Sequence, residues 1–301
     1  MRKFTYLTVL FIAFLSVRVM AQVTVSAEVR PRTEFRNGFK TLTEGSKNAS
    51  FFTEQRSRIY LDYADYSFKF RVAFQDIRIW GETTQIFKEE YGKTFISEAW
   101  GQYYFTNAFS IKAGRQIISY DNQRFLGGLE WAQQGRRHDA LLFLYEQNKS
   151  KLHLGLAYNQ DDDVPEQAFL QGPGAGYYSV GGNYKTFQYG YFNHSFETGS
   201  LSLLAFNAGY QNADTTVSFK QTFGVVADKA FGGIKLAGDF YYQTGEFSKN
   251  KVNAVLAGIN ATVQTPVTPL TLGVEYVSGK DDGDTSTDIT AFSPDFGTNH
   301  A

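Results

Sequence analysis

The chain has 301 residues, with 29 basic and 30 acidic side chains, no cysteine, 28 glycines, six prolines and 17% aromatic residues. Without cysteine there is no disulfide framework, no thiolate nucleophile and no Cys-ligated metal or cluster. A near-neutral chain with 43% hydrophobic residues is not a disordered, self-repelling polymer, and its charge balance gives no reason to expect nucleic acid as a partner.

In chain order, Arg2 and Lys3, the apolar stretch Phe4 to Val17 and the small-residue end Val19-Met20-Ala21 read as a Sec-type secretory signal over residues 1–21, cleaved near Ala21. The apolar stretch is too short for a spanning helix. Cleavage would remove Arg2, Lys3 and Arg18 and leave 26 basic against 30 acidic residues, a mature net charge of about −4. The rest, residues 22–301, reads as one β domain.

From Gln22 onward the dominant signal is period-two alternation in segments of about ten residues, separated by Gly, Asn, Asp, Ser and Thr. Val23, Val25, Ala27 and Val29 alternate with Thr24, Ser26, Glu28 and Arg30. Ile59, Leu61 and Tyr63 alternate with Arg58, Tyr60 and Asp62, and Phe68, Phe70, Val72 and Phe74 with Lys69, Arg71 and Gln75. Thirteen strands follow, at about 22–35, 52–63, 66–80, 94–106, 109–119, 137–147, 151–160, 178–196, 200–211, 216–229, 231–246, 251–264 and 270–279. A phase slip near Asp76 and Ile77 predicts a bulge there.

The connections after strands 1, 3, 5 and 7 are long, while those after 2, 4, 6 and 8 are short, the arrangement of a transmembrane barrel with periplasmic turns and external loops. The expected fold is all-β: an antiparallel up-and-down barrel in the outer membrane of a Gram-negative bacterium, with its apolar residues facing lipid and its polar residues lining the lumen. Tyr103-Tyr104, Tyr177-Tyr178, Tyr189 with Tyr191, and Tyr241-Tyr242 are expected in interfacial girdles. Bacterial barrels have even strand numbers, so thirteen strands ending at Ala301 are expected to be part of a longer barrel.

All eleven arginines after Arg18 lie before His138. Arg30, Arg32, Arg56, Arg58, Arg71 and Arg78 share the polar phase of strands 1 to 3, and an arginine-lined wall selects anions. Glu28, Glu34, Glu54, Asp62, Asp76 and Glu98 fall on the same faces, so ion pairs that merely brace the wall are the competing reading.

The segments Gly114-Arg115-Gln116, Asp121, Arg124, Trp131 and Arg137-His138-Asp139-Ala140, with Arg30-Pro31-Arg32-Thr33-Glu34 and Gln55-Arg56-Ser57-Arg58, resemble the alginate-export family of outer-membrane porins over residues 22–147. The resemblance implies a single-chain barrel of about eighteen strands whose Arg- and Lys-lined pore passes an anionic uronate polymer. It also implies pore roles for Arg115, Arg124 and Arg137 as basic positions and for Asp121 and Asp139 as acidic ones. Alternation from Ile111 and Ala113 turns Arg115 outward unless a bulge at Gly114 re-aims it.

Other signals carry less. His194 and Ser195 are adjacent and point to opposite faces, which excludes them as a nucleophile–base pair, and His153 reads as a lumenal hydrogen-bonder. The acidic runs Asp161-Asp162-Asp163 and Asp281-Asp282-Gly283-Asp284 read as solvated loops rather than calcium sites. Gly172-Pro173-Gly174-Ala175-Gly176 reads as a loop tip. The expectation is a channel without enzymatic activity or cofactor, in contact with membrane lipid, moving anionic saccharides or other anionic solutes, its oligomeric state open with a monomer favoured. The alternative is a structural or adhesive barrel with a plugged lumen.

Overall fold

The structure, a computed structural model, describes residues 22–38, 49–86, 91–159, 184–212, 214 and 216–298. The alternating segments form β1 (Gln22–Arg36), β2 (Ser50–Ala64), β3 (Phe68–Ile79), β4 (Lys93–Tyr104), β5 (Phe109–Gln116), β6 (His138–Gln147) and β7 (Ser150–Tyr158). They continue as β8 (Thr186–Ser195), β9 (Gly199–Gln211), β10 (Val217–Phe231), β11 (Ile234–Phe247), β12 (Asn250–Val263) and β13 (Leu270–Val277). All thirteen belong to one antiparallel sheet in sequence order, an all-β up-and-down architecture. The signal segment, Asp161 to Asp163, Gly172 to Gly176 and Tyr177-Tyr178 lie outside the described residues.

Two-residue turns at Asn148-Lys149 and Ser248-Lys249 have positive φ at both positions, the twist that matches a right-handed hairpin. The long connections 37–49, 80–92, 117–137 and 159–185 leave the sheet from one end, but those after β9 and β11 at that same end are short.

Period-two alternation gives the sheet two chemically different faces. Val25, Val29, Ile59, Phe74 and Leu154 stand on the outer face, each more than two-fifths exposed. On the inner face Arg56, Arg58, Gln75, Glu98 and Gln116 are buried. Apolar residues outside and polar residues inside are the inverse of a soluble barrel, and hydrocarbon is the solvent that makes such an exterior stable.

The interior is filled from two places. Residues 117–137 fold back into the lumen; the stretch after β13 first pairs along the free edge of β12, where Asn253 donates its N–H to the Ile289 carbonyl at 2.9 Å, and then turns inward, where Phe296 bridges to Leu126. Phe125, 1% exposed, packs on Phe206 and Tyr241 with ring centroids 5.2 and 5.8 Å away, while Phe296 packs on His138, Tyr184, Phe187 and Phe206. These contacts form a mixed aromatic cluster on the inner face of β6 to β12.

That cluster corrects the placement of three tyrosines. Tyr189, Tyr191 and Tyr241 are not at a lipid interface but buried in the lumen, because the inward segments cover them. Tyr103 does face outward, half exposed. The expected bulge at Asp76 and Ile77 is also displaced. The β2–β3 register runs unbroken from Glu54 opposite Ile79 to Ala64 opposite Lys69, and the irregularity lies in the β3–β4 pair, where Ser97 is the extra residue. The apparent slip at Asp76 is a change of chemistry: the outer face turns polar toward the long-loop end. Strand β8 begins at Thr186 rather than 178; Tyr184, just before it, is turned inward onto His138 instead.

Candidate functional site

The inner face of β1 and β2 places Arg30, Arg32, Arg56 and Arg58 side by side, with Arg30 directly opposite Arg56 and Glu28 opposite Arg58. Guanidinium groups so close repel one another unless anions or carbonyl oxygens intervene. The inward loop supplies both. Arg30 donates to the carbonyls of Glu130 at 2.7 Å and Ala132 at 3.1 Å and to the side-chain oxygen of Gln133 at 3.0 Å. Arg32 reaches the Trp131 carbonyl at 2.6 Å, and Arg56 the carbonyls of Glu130 and Ala132, each at 3.2 Å.

The loop's own carboxylate lies between three of the arginines. Glu130 Oε2 is 2.7 Å from Arg58 Nη1 and 3.4 Å from Arg56 Nη1, and Oε1 is 2.7 Å from Arg137 Nη1. Burial pushes the Glu130 carboxyl up, but the Arg58 hydrogen bond and the Arg137 charge outweigh it and hold the carboxyl below its ordinary range. Arg56 has a second partner in Glu28, at 2.7 Å. Gln75 braces the clasp, accepting from Arg58 and donating to the Gln134 carbonyl at 3.1 Å.

The opposite wall holds the loop's first half. Tyr120 bonds His153 Nδ1 at 3.0 Å and the Tyr189 hydroxyl at 2.8 Å and stacks on Tyr191 at 3.9 Å between centroids. Asp121 accepts from the hydroxyls of Tyr191 at 2.8 Å and Ser202 at 2.6 Å; burial pushes its carboxyl up against the pull of those bonds. Asn122 donates to Asp239 at 3.1 Å, and Arg124 pairs with Glu275 on β13. The loop therefore crosses the lumen from the arginine wall to the β11–β13 wall, where a cavity of about 390 Å³ remains among Asn122, Arg124, Asp239, Asn260 and Glu275.

The stretch after β13 is locked beside it. Asp295 accepts from the Tyr210 hydroxyl at 2.6 Å and pairs with Lys220 at 2.7 Å, all well buried, and Arg136 donates to the Phe296 and Gly297 carbonyls. Asp284 turns its oxygens to the N–H and hydroxyl of Ser286, at 2.8 and 3.0 Å.

Of the sequence-predicted residues, Arg30, Arg32, Arg56 and Arg58 converge on the loop, and Asp121, Arg124 and Arg137 belong to it. Arg71 also faces inward, further down the wall, in a two-bond pair with Asp62 at 2.7 and 3.2 Å and over the Tyr60 ring. Below it Lys112 sits 3.8 Å over the Trp100 ring and Lys69 over Tyr104, so the cationic stripe extends beyond the arginines.

Three predicted pore residues are placed elsewhere. Arg78 shares the outer face with Gln55 and Ser57 and pairs with Asp76 at 2.7 Å. Arg115 and Asp139 stand directly opposite one another on the outer face and pair at 2.8 Å with side chains 43% and 53% exposed. No bulge re-aims Arg115, because the β4–β5 and β5–β6 registers run through Gly114 without a shift. Gly114 instead permits close packing: at φ +116°, a Cβ there would lie 2.2 Å from the Ala99 carbonyl oxygen.

Glu130 was missed by sequence reasoning, although it is the sole acidic residue between Asp121 and Asp139. A lone acid in a loop next to an arginine-dense wall was the available signal. His194 bonds Ser150 at 2.7 Å rather than Ser195.

A family model described as alginate export matches residues 21–301. A search of curated proteins gave no match. Among solved structures, OccK2 (OpdF) of Pseudomonas aeruginosa is similar with a TM-score of 0.55 at 12% identity, over 87% of this chain and 66% of that one. OpdK of Pseudomonas aeruginosa, solved with vanillate, gives 0.57 at 9% identity over 86% and 67%. The anion-selective porin from Comamonas acidovorans gives 0.54 at 12% over 85% and 79%. At these identities the likeness shows the fold, that of outer-membrane β-barrel porins, and the chain spans about two thirds of the length of the first of them.

Proposed function

The chain belongs to the alginate export family, and from that membership and the geometry of its lumen we propose that it is an outer-membrane channel for anionic solutes, with acidic saccharides such as alginate-like polyuronates as the leading class. The observation that carries this reading is the inward placement of Arg30, Arg32, Arg56, Arg58 and Arg71 on three consecutive strands, with Lys69 and Lys112 continuing the stripe past the loop. Fixed guanidinium forks match carboxylates in geometry as well as charge, and a row of them lowers the barrier for an anion in a narrow lumen. The loop narrows the path, so the solute passes extended, one carboxylate at a time. Transport by diffusion needs no cofactor and no covalent chemistry.

Reversal potentials in planar bilayers under a potassium chloride gradient test the reading. The expected result is a preference for chloride that falls as salt rises and a current blocked by trigalacturonate. A preference for potassium at low salt overturns it.

One feature favours a second reading, a structural barrel with a closed lumen: Phe125 and Phe296 meet Phe206 in an interior aromatic cluster over β6 to β12. Liposome swelling in small neutral and acidic sugars separates the two, because a closed barrel admits neither.

A further inference from the structure

The arginine wall is more heavily armed than its visible partners require. Arg58 and Arg137 side chains are 2% and 7% exposed, and both have buried nitrogens with no hydrogen-bond partner: Arg58 Nη2, and Arg137 Nε and Nη2. The nearest additional acid, Glu98, stands 3.6 Å from Arg137 Nη2, beyond hydrogen-bonding reach. Buried guanidinium N–H groups left without acceptors are costly and rare. The space between the two groups is kept open by Gly135, where a Cβ would lie 2.8 Å from Arg137 Nη1, 2.9 Å from Glu130 Oε1 and 3.1 Å from Arg58 Nη2.

Glu130 differs from the arginines that hold it, being 42% exposed while they are buried. Its side chain is open on one side while Oε1 is buried against Arg137, so the carboxylate covers the guanidinium groups behind it. Nor does the loop depend on that carboxylate to stay in place, because Arg30, Arg32 and Arg56 bind the main-chain carbonyls of Glu130, Trp131 and Ala132. The side chain can swing away while the backbone remains docked.

We propose that Arg58 and Arg137 form a carboxylate-binding subsite which the chain's own Glu130 occupies at rest, and that a carboxylate of a passing solute exchanges with it. This rests on the channel reading and adds its regulation: Glu130 is an internal competitor that lowers the positive charge of the wall until an acidic solute arrives. A monovalent anion gains little by the exchange. A polyuronate gains more, since each bound carboxylate raises the effective concentration of the next at Arg71 and the lysines beyond.

The test uses the full chain, folded in detergent and in bilayers, with trigalacturonate as the anionic probe and maltotriose as the neutral one. Glu130→Gln removes the competitor's charge, so binding of trigalacturonate measured by calorimetry should tighten about tenfold and the chloride preference should rise. Glu130→Asp keeps the charge and should resemble the unaltered chain. Equal trigalacturonate affinity in Glu130→Gln and the unaltered chain overturns the inference, as does a parallel rise in maltotriose permeation, which would mean that the pore had merely widened. Tighter binding in Glu130→Gln with no conductance in either protein overturns the channel reading and leaves the subsite standing.

Discussion

Arg58 on β2 donates from Nη1 to Oε2 of Glu130 at 2.7 Å, joining a strand to a loop 72 positions further along the chain. The contact adds a side-chain tie to the carbonyl contacts by which Arg30, Arg32 and Arg56 dock the loop. Arg58 is 2% exposed and Glu130 is 42% exposed, so the anchor lies deep in the wall and the anchored side chain is only partly covered.

Arg58→Ala removes that anchor and strands Gln75 and one face of Glu130. The expected cost is about 1–3 kcal/mol in the local stability of the loop. It should be read as faster amide exchange over residues 126–136, with the amides of β2 and β3 unchanged. Protection in the loop equal to that of the unaltered chain would show that the carbonyl contacts alone suffice.

The Glu130 carboxyl titrates below its ordinary range in the folded chain. A depressed carboxyl contributes stability that is present above its unfolded value and lost as pH falls through the folded one. Acidification below the usual glutamate range should therefore loosen the loop, followed by the emission of Trp131, which neighbours Glu130 in sequence. Glu130→Gln should abolish that transition.

Asp295→Ala leaves Lys220 buried without its carboxylate and takes the acceptor from Tyr210. Breaking a buried pair by removing one partner costs about 3–5 kcal/mol. Limited proteolysis should then cut within residues 284–298, while the heat-resistant folded band on a gel persists. Loss of that band would assign the segment a part in holding the barrel itself.

Arg115 and Asp139 form an exposed pair on the outer face. Such pairs contribute about 0–1 kcal/mol. Arg115→Ala should leave the chloride preference unchanged, whereas Arg56 and Arg58 replaced together with Ala should reduce it; reversal potentials in bilayers read both. An Arg115 variant that lost selectivity would bring that residue back into the conduction path.

The strands were legible because lipid outside and water inside impose a period of two that survives in every segment, from Val23-Thr24-Val25 in β1 to Leu152-His153-Leu154 in β7. The site was legible only in part. Arg56 and Arg58 were placed correctly by phase, and their burial follows from the loop that covers them. Arg78 was misplaced because Asp76 and Arg78 carry polar chemistry on the outer face near the rim, where the hydrocarbon band ends. The aromatic filling escaped notice because Tyr189, Tyr191 and Tyr241 suit a lipid interface as well as they suit a lumen, and only Phe125 and Phe296 packing against that cluster distinguish the two.

What the sequence by itself determined is the sheet: the strands among the described residues, their order, their antiparallel pairing and the face of most strand residues, all consequences of local alternation and turn chemistry. What only the tertiary structure decided is how the lumen is used. Whether Arg58 meets solute or Glu130, and whether Tyr189 meets lipid or Tyr120, depends on where residues 117–137 and 289–298 fold. Those segments lack periodicity, and their placement is set by contacts with distant strands, such as Asn122 with Asp239 at a separation of 117 residues, which no local pattern encodes.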